Sequence, residues 1–176
     1  MRNVLLISAG LMLASTALAQ ETVVYQYDAL GRLVSSDVRP AGTGGRRSEY
    51  SFDKAGNRQR MENVSIVRVS QIPVNSSLHH GEGMRSANGD YVVYLQQDGN
   101  LVIYGRDAKA TWATMTGDRG QNRLDMQGDG NLVLYSSQGP AVWSSGTWGN
   151  PGAYAELTNA GKLTVRRADG TQLWSS

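Results

Sequence analysis

No cysteine occurs among the 176 residues, which excludes disulfide cross-links, thiol nucleophiles and thiolate metal sites. Packing alone must hold the fold. Histidine is nearly as scarce: the two are adjacent, His79 and His80. With Glu82 they form the one candidate metal set, but successive residues on a strand point to opposite faces, so no metal is expected. An excess of one charge is missing too. Lys and Arg number 17 against 15 Asp and Glu, and Arg46-Arg47 and Arg166-Arg167 are the only adjacent basic pairs. A nucleic-acid surface is therefore not expected. No apolar run is long enough to span a bilayer as a helix, so the protein is not expected to be membrane-embedded.

The one apolar run stands at the amino terminus. Arg2 supplies a positive start, Val4 to Ala14 is mostly apolar, and Ala17-Leu18-Ala19 before Gln20 has the small-x-small pattern of a signal-peptidase site. Residues 1–19 are read as a signal peptide, and the mature protein as secreted or periplasmic. The remainder is rich in glycine, 21 residues. Short Val/Leu/Ile/Tyr/Trp stretches alternate with Asp-Gly, Asn-Gly and Ser-Gly turns, an all-β signature.

The chain also repeats itself. Residues 96–104 read QQDGNLVIY and residues 127–135 read QGDGNLVLY, 31 positions apart. Trp112, Trp143 and Trp174 keep the same interval. A third copy, TNAGKLTVR from Thr158, retains Gly161 and the Leu163/Val165 alternation. Its polar set is lost: Thr158, Ala160, Lys162, Thr164 and Arg166 replace Gln, Asp, Asn, Val and Tyr.

Positions apolar in all three copies should build the core. They are Leu101/Leu132/Leu163, Ile103/Leu134/Val165, Leu95/Met126/Leu157 and the three Trp. Burying each such aliphatic chain contributes roughly 1.5–3 kcal/mol. Three sheets around a pseudo-threefold axis, with the Trp rings in the middle, satisfy this pattern. Positions shared by two copies alone should do something else. Asp98-Gly99-Asn100 reads as a three-residue hairpin loop. Folding there sets Gln96 opposite Val102, Tyr94 opposite Tyr104 and Leu95 opposite Ile103. Amide, carboxylate and phenol groups then converge around one aliphatic contact, which suits a ligand studded with hydroxyls.

This QxDxNxVxY motif, present twice, resembles the signature of the bulb-type (monocot) mannose-binding lectins. The resemblance runs from about Ser70 to Ser176 and includes RSANGDYVVYLQQDGNLVIY and AVWSSG. It implies a β-prism II fold of three four-stranded antiparallel sheets and mannose-containing glycans or surface polysaccharide as partners. It also implies two carbohydrate-binding sites: Gln96, Asp98, Asn100, Val102, Tyr104, and Gln127, Asp129, Asn131, Val133, Tyr135. The third copy lacks these residues, and no cofactor is implied. Plant members commonly carry a disulfide, which this chain cannot form. They also dimerise by exchanging carboxy-terminal strands; the sequence stops two residues after Trp174, which leaves a homodimer an open question.

Between residues 20 and 69, YQYDALGRL (25–33) is echoed by YSFDKAGNR (50–58). This resembles the YD motif of bacterial RHS/YD-repeat proteins and suggests a bacterial source. Two copies joined by a Gly-rich link, Ala41 to Gly45, are too few to bury a core of their own. A pair of hairpins that docks on the lectin or serves as a stalk is expected. Catalysis is not: Asp98 and Asp129 fall in separate copies, whereas a glycosidase pair must lie within ~5–10 Å. The alternatives to a lectin are a lectin-like bacteriocin and a YD-mediated interaction protein with vestigial sugar sites.

Overall fold

A computed structural model of the chain describes residues 21–40, 44–120 and 122–176. The expected signal peptide and part of the Gly-rich link lie outside the described residues. Every regular element among those residues is a strand.

Three short strands in a row start the prism: β5 (Gln71–Ile72), β6 (Ser76–His79) and β7 (Glu82–Arg85). Each joins a different sheet, as the outer neighbour of one repeat copy. The first copy supplies β8 (Val92–Leu95), β9 (Leu101–Tyr104) and β10 (Ala110–Ala113) beside β7. The second supplies β11 (Arg123–Met126), β12 (Leu132–Tyr135) and β13 (Ala141–Ser144) beside β6. The third supplies β14 (Tyr154–Leu157), β15 (Leu163–Arg166) and β16 (Gln172–Ser175) beside β5.

The three sheets turn one face inward, because alternation puts every second side chain there. Leu95, Leu101, Ile103, Met126, Leu132, Leu134, Leu157, Leu163 and Val165 form one buried cluster, as the repeat pattern predicts. Trp112, Trp143 and Trp174 pack against it and against each other edge-to-face, with ring centroids 5.3–6.0 Å apart. That mutual arrangement, favourable for ring quadrupoles, closes the middle of the prism.

One expectation, the hairpin register, needs correction. Tyr94 pairs with Val102, Val92 with Tyr104 and Leu95 with Leu101, so the loop is Gln97-Asp98-Gly99. Gln96 N donates to Asn100 O at 2.9 Å, and Gly99 N to Gln96 O at 3.0 Å. The reason is the glycine: at φ +93° it fills the left-handed position that ends a type I turn, which makes it the last loop residue and not the middle one. Pairings move by two residues, so side-chain parity survives and Tyr94, Gln96, Val102 and Tyr104 still share a face. The three four-stranded walls of the prism are as expected, and the first is continued beyond β7 by four additional strands into an eight-stranded sheet.

The additional strands are β1 (Thr22–Tyr27), β2 (Leu33–Arg39), β3 (Arg46–Phe52) and β4 (Arg58–Val69). The echoed Tyr-Asp stretches make its two outer turns. Asp28 Oδ1 accepts from the amides of Leu30 and Arg32 at 2.9 Å, and Asp53 Oδ1 from that of Asn57 at 2.8 Å. β4 then pairs with β7 in parallel, Ser65 opposite Glu82. The segment lies on the prism and does not stand off it. Its anchors are largely polar, as its composition requires: Arg85 Nη2 donates to Asp37 at 2.6 Å, and buried Arg47 to Glu49 at 2.8 Å and to the Gly105 carbonyl at 3.1 Å. Among the described residues its buried apolar contribution comes from Val64 and Ile66, which meet Val92, Tyr94 and Tyr104 in a second buried cluster.

Candidate functional site

The second motif shows what the nonapeptide builds by itself. Gln127 Nε2 donates to Tyr135 Oη at 2.6 Å across the hairpin, above Val133 on the same face. Asp129 Oδ1 accepts from the Asn131 amide at 2.9 Å, and the residue is exposed, so Oδ2 remains as an acceptor. Asn131 Oδ1 accepts from the Thr147 amide at 3.1 Å and Ser145 Oγ at 3.2 Å, which orients the amide so that its Nδ2 hydrogens remain to donate. Thr147 Oγ1 donates to the Gly130 carbonyl at 2.7 Å and so fixes the loop. A carboxylate oxygen, an amide donor, an amide and a phenol thus border one aliphatic side chain.

The first motif repeats this geometry. Asp98 Oδ1 accepts from the Asn100 amide at 2.9 Å, and Asn100 Oδ1 from Thr114 Oγ1 at 3.1 Å and the Thr116 amide at 3.2 Å. Val102 lies between. The hydroxyl residues Thr114/Thr116 and Ser145/Thr147 escaped the sequence reading; their signal was the same 31-residue spacing, hidden because serine replaces threonine. Trp148, beside Thr147, is 72 % exposed. It has no counterpart in the first copy, where Gly117 stands.

The third copy lacks the set: Ala160 and Lys162 stand where the aspartate and asparagine do, and Arg166, in the place of the tyrosine, pairs with Glu156 at 2.7 Å.

The first site differs from the second in its cover. Gln96 is 4 % exposed, and its two Nε2 hydrogens are shared among three acceptors, Tyr104 Oη at 3.0 Å, Tyr94 Oη at 3.1 Å and Glu62 Oε2 at 3.3 Å. Glu62 comes from β4. Burial, chiefly, pushes its carboxyl up to about 7, with the charges of Glu49 and Asp98 adding to the rise and the Gln96 hydrogen bond opposing it. Burial also raises Glu49, against the pull of Arg47. Tyr104 is raised by burial and then by Glu49 and Glu62.

A testable consequence follows for Glu62. Its folded value lies above the ordinary 4.5, so the folded chain holds the proton more tightly and stability falls as pH rises from about 4.5 to 7. Glutamine removes that charge. After screening by Arg60 and nearby water, about 1 kcal/mol should remain. Glu62→Gln is expected to melt ~2–4 °C above the parent near pH 8 and level with it near pH 4, by calorimetry.

Comparison with solved structures decides the family. No family model and no curated protein sequence matches the chain. Among solved structures, a monomeric monocot mannose-binding lectin from Gastrodia elata is 31 % identical with a TM-score of 0.54, covering 61 % of this chain and 96 % of its own. The chain belongs to the bulb-type lectin family. The mannose-specific agglutinin of snowdrop (Galanthus nivalis) bulbs, complexed with methyl-α-D-mannoside, is 32 % identical with a TM-score of 0.52, covering 57 % and 91 %. The Marasmius oreades lectin is 27 % identical with a TM-score of 0.57, covering 61 % and 89 %. The three-sheet core of this bulb-type lectin is a β-prism II fold. Its neighbours are non-enzymatic carbohydrate-binding proteins. No helix among the described residues is long and apolar enough to cross a membrane.

Proposed function

We propose that this bulb-type lectin binds mannose-type glycans through the two QxDxNxVxY sites and that it does so outside the cytoplasm. The observation that carries the proposal is the divided use of the paired side chains. In each loop one oxygen of the aspartate and the carbonyl of the asparagine hold the turn. Asp98 Oδ2 with Asn100 Nδ2, and Asp129 Oδ2 with Asn131 Nδ2, are left to meet a ligand, one as acceptor and one as donor. A sugar hydroxyl does both at once. The axial 2-hydroxyl of mannose is the group such a pair would select; the Tyr and Val of each motif, with Gln127 in the second, would meet the neighbouring hydroxyls and ring. The snowdrop agglutinin, a neighbour in fold, was solved with a mannoside bound.

Affinity for one sugar should be weak. Four or five hydrogen bonds contribute ~0.5–1.5 kcal/mol each against several kcal/mol of association entropy. About −4 kcal/mol, a millimolar Kd, remains. Two sites on one rigid body then favour polymeric surfaces over free sugar. Titration calorimetry with methyl α-mannoside against the α-glucoside tests the reading: mannoside preference is expected, and equal affinity would refute the site assignment.

Export is proposed from the sequence of residues 1–19, with the Tyr-Asp segment over 20–69 and the lectin domain over 70–176 as the mature arrangement of a bacterial protein. Intact-mass measurement on protein recovered from periplasm or medium should place Gln20 first. A chain that keeps Met1 in the cytoplasm would refute export.

A further inference from the structure

The two motifs are built alike but are not equally furnished, and the difference comes from β4. Beside the first motif lies a recess of about 220 Å³ lined by Arg60, Met61, Glu62, Asn63 and Gln97. Four of these residues are consecutive on β4, and the fifth is on the motif loop itself. Arg60 is paired with Glu62, and Glu62 in turn takes the Gln96 amide at 3.3 Å, so the recess adjoins the candidate sugar site through shared atoms. Position 97 is glutamine where the second copy has Gly128. The loop therefore sends a polar side chain into the recess at the one place where the extension provides a wall. Asn63 is held by Ser48, whose Oγ donates to its Oδ1 at 2.7 Å.

We propose that the recess is a second sugar subsite, so that the first motif and β4 together take an oligosaccharide: one unit on Asp98 and Asn100, its neighbour between Arg60, Glu62 and Gln97. Guanidinium, carboxylate and amide groups together donate to and accept from hydroxyls, as a pyranose unit requires. The side-chain amide that Gln127 keeps for a ligand is, in the first site, already engaged by Glu62; the carboxylate there replaces it as hydroxyl partner. The second motif lacks this wall. This inference rests on the lectin reading and extends it to ligand length.

The test uses the full chain with one site disabled at a time, near pH 8 where Glu62 is ionised. Asp129→Asn isolates the first site and Asp98→Asn the second. Each is titrated with methyl α-mannoside and with mannobioses of every linkage. The first site alone is expected to bind at least one mannobiose ~10-fold or more tighter than the monosaccharide, while the second site shows a ratio near one. Adding Arg60→Ala or Gln97→Gly to the first-site protein should bring its ratio down to that of the second; Gln97→Gly restores the residue that the second copy tolerates, so folding is not at issue. Equal ratios in the two single-site proteins, or ratios unmoved by the recess variants, overturn the inference. Should the second site bind and the first bind neither sugar, Glu62 closes the site and the inference alone fails. Should no protein bind either sugar, the lectin reading fails with it.

Discussion

The double variant Asp98→Asn/Asp129→Asn should lose measurable mannoside binding while melting within a degree or two of the parent. Each aspartate uses Oδ1 to accept from a backbone amide two residues on, at 2.9 Å in both loops. Asparagine keeps that acceptor, so the turn stands. It exchanges Oδ2, an acceptor with charge, for an NH₂ donor placed beside another amide donor, Asn100 or Asn131. A hydrogen bond to a charged group contributes ~1.5–3 kcal/mol, so the loss at each site is roughly 10- to 150-fold. From a millimolar start, that lies beyond calorimetric detection. Either single variant should retain one site. NMR titration of the double variant checks the result, and binding at parental strength would remove both aspartates from the site.

Gly130→Ala should be the most destabilising single methyl in the lectin. Gly130 sits at φ +90°, where an L side chain is strained, and a Cβ built there overlaps the Asn150 carbonyl. That carbonyl cannot retreat: the Asn150 amide donates to Asp129 O at 2.9 Å, and Asn150 Nδ2 to Thr147 O at 2.9 Å. Strain alone is worth ~1–3 kcal/mol, and overpacking against fixed backbone adds a similar amount. A loss above ~3 kcal/mol, or ~6–12 °C in Tm, is expected. Gly139→Ala is the control: its φ is +103° but nothing lies within 4 Å, so the strain should appear without the overlap. Equal shifts in the two variants would mean that the close approach at Gly130 contributes nothing.

Much of the prism was legible because its signals are local and occur three times. The Trp spacing, the aliphatic face of Leu95, Leu101 and Ile103, and the loss of the polar set after Thr158 each state their role within a few residues. The loop was misplaced by one residue, since Asp98-Gly99-Asn100 reads equally well with glycine in the middle until its φ is known. The eight-stranded sheet was not legible at all. Pairing Ser65 with Glu82 in parallel leaves no turn signature, unlike the Asp28 and Asp53 hairpins, and the buried faces of β2 and β3 carry Asp37, Arg47 and Glu49, which in sequence look like exposed positions. Glu62 escaped for the same reason: 34 residues separate it from Gln96, and nothing in its own neighbourhood announces a sugar site.

The placement of β5 and β6 beside the third and second copies also bears on the order of assembly. Ile72 lies opposite Ala155, and Ser77 opposite Asp125, so two of the three walls stay open until partners far downstream have been made. Contacts of such long sequence separation form slowly, because the loop entropy is lost before they are gained. In a nascent chain of this lectin those two walls therefore lack their partners until the last third has been synthesised, whereas the first sheet already has all of its strands.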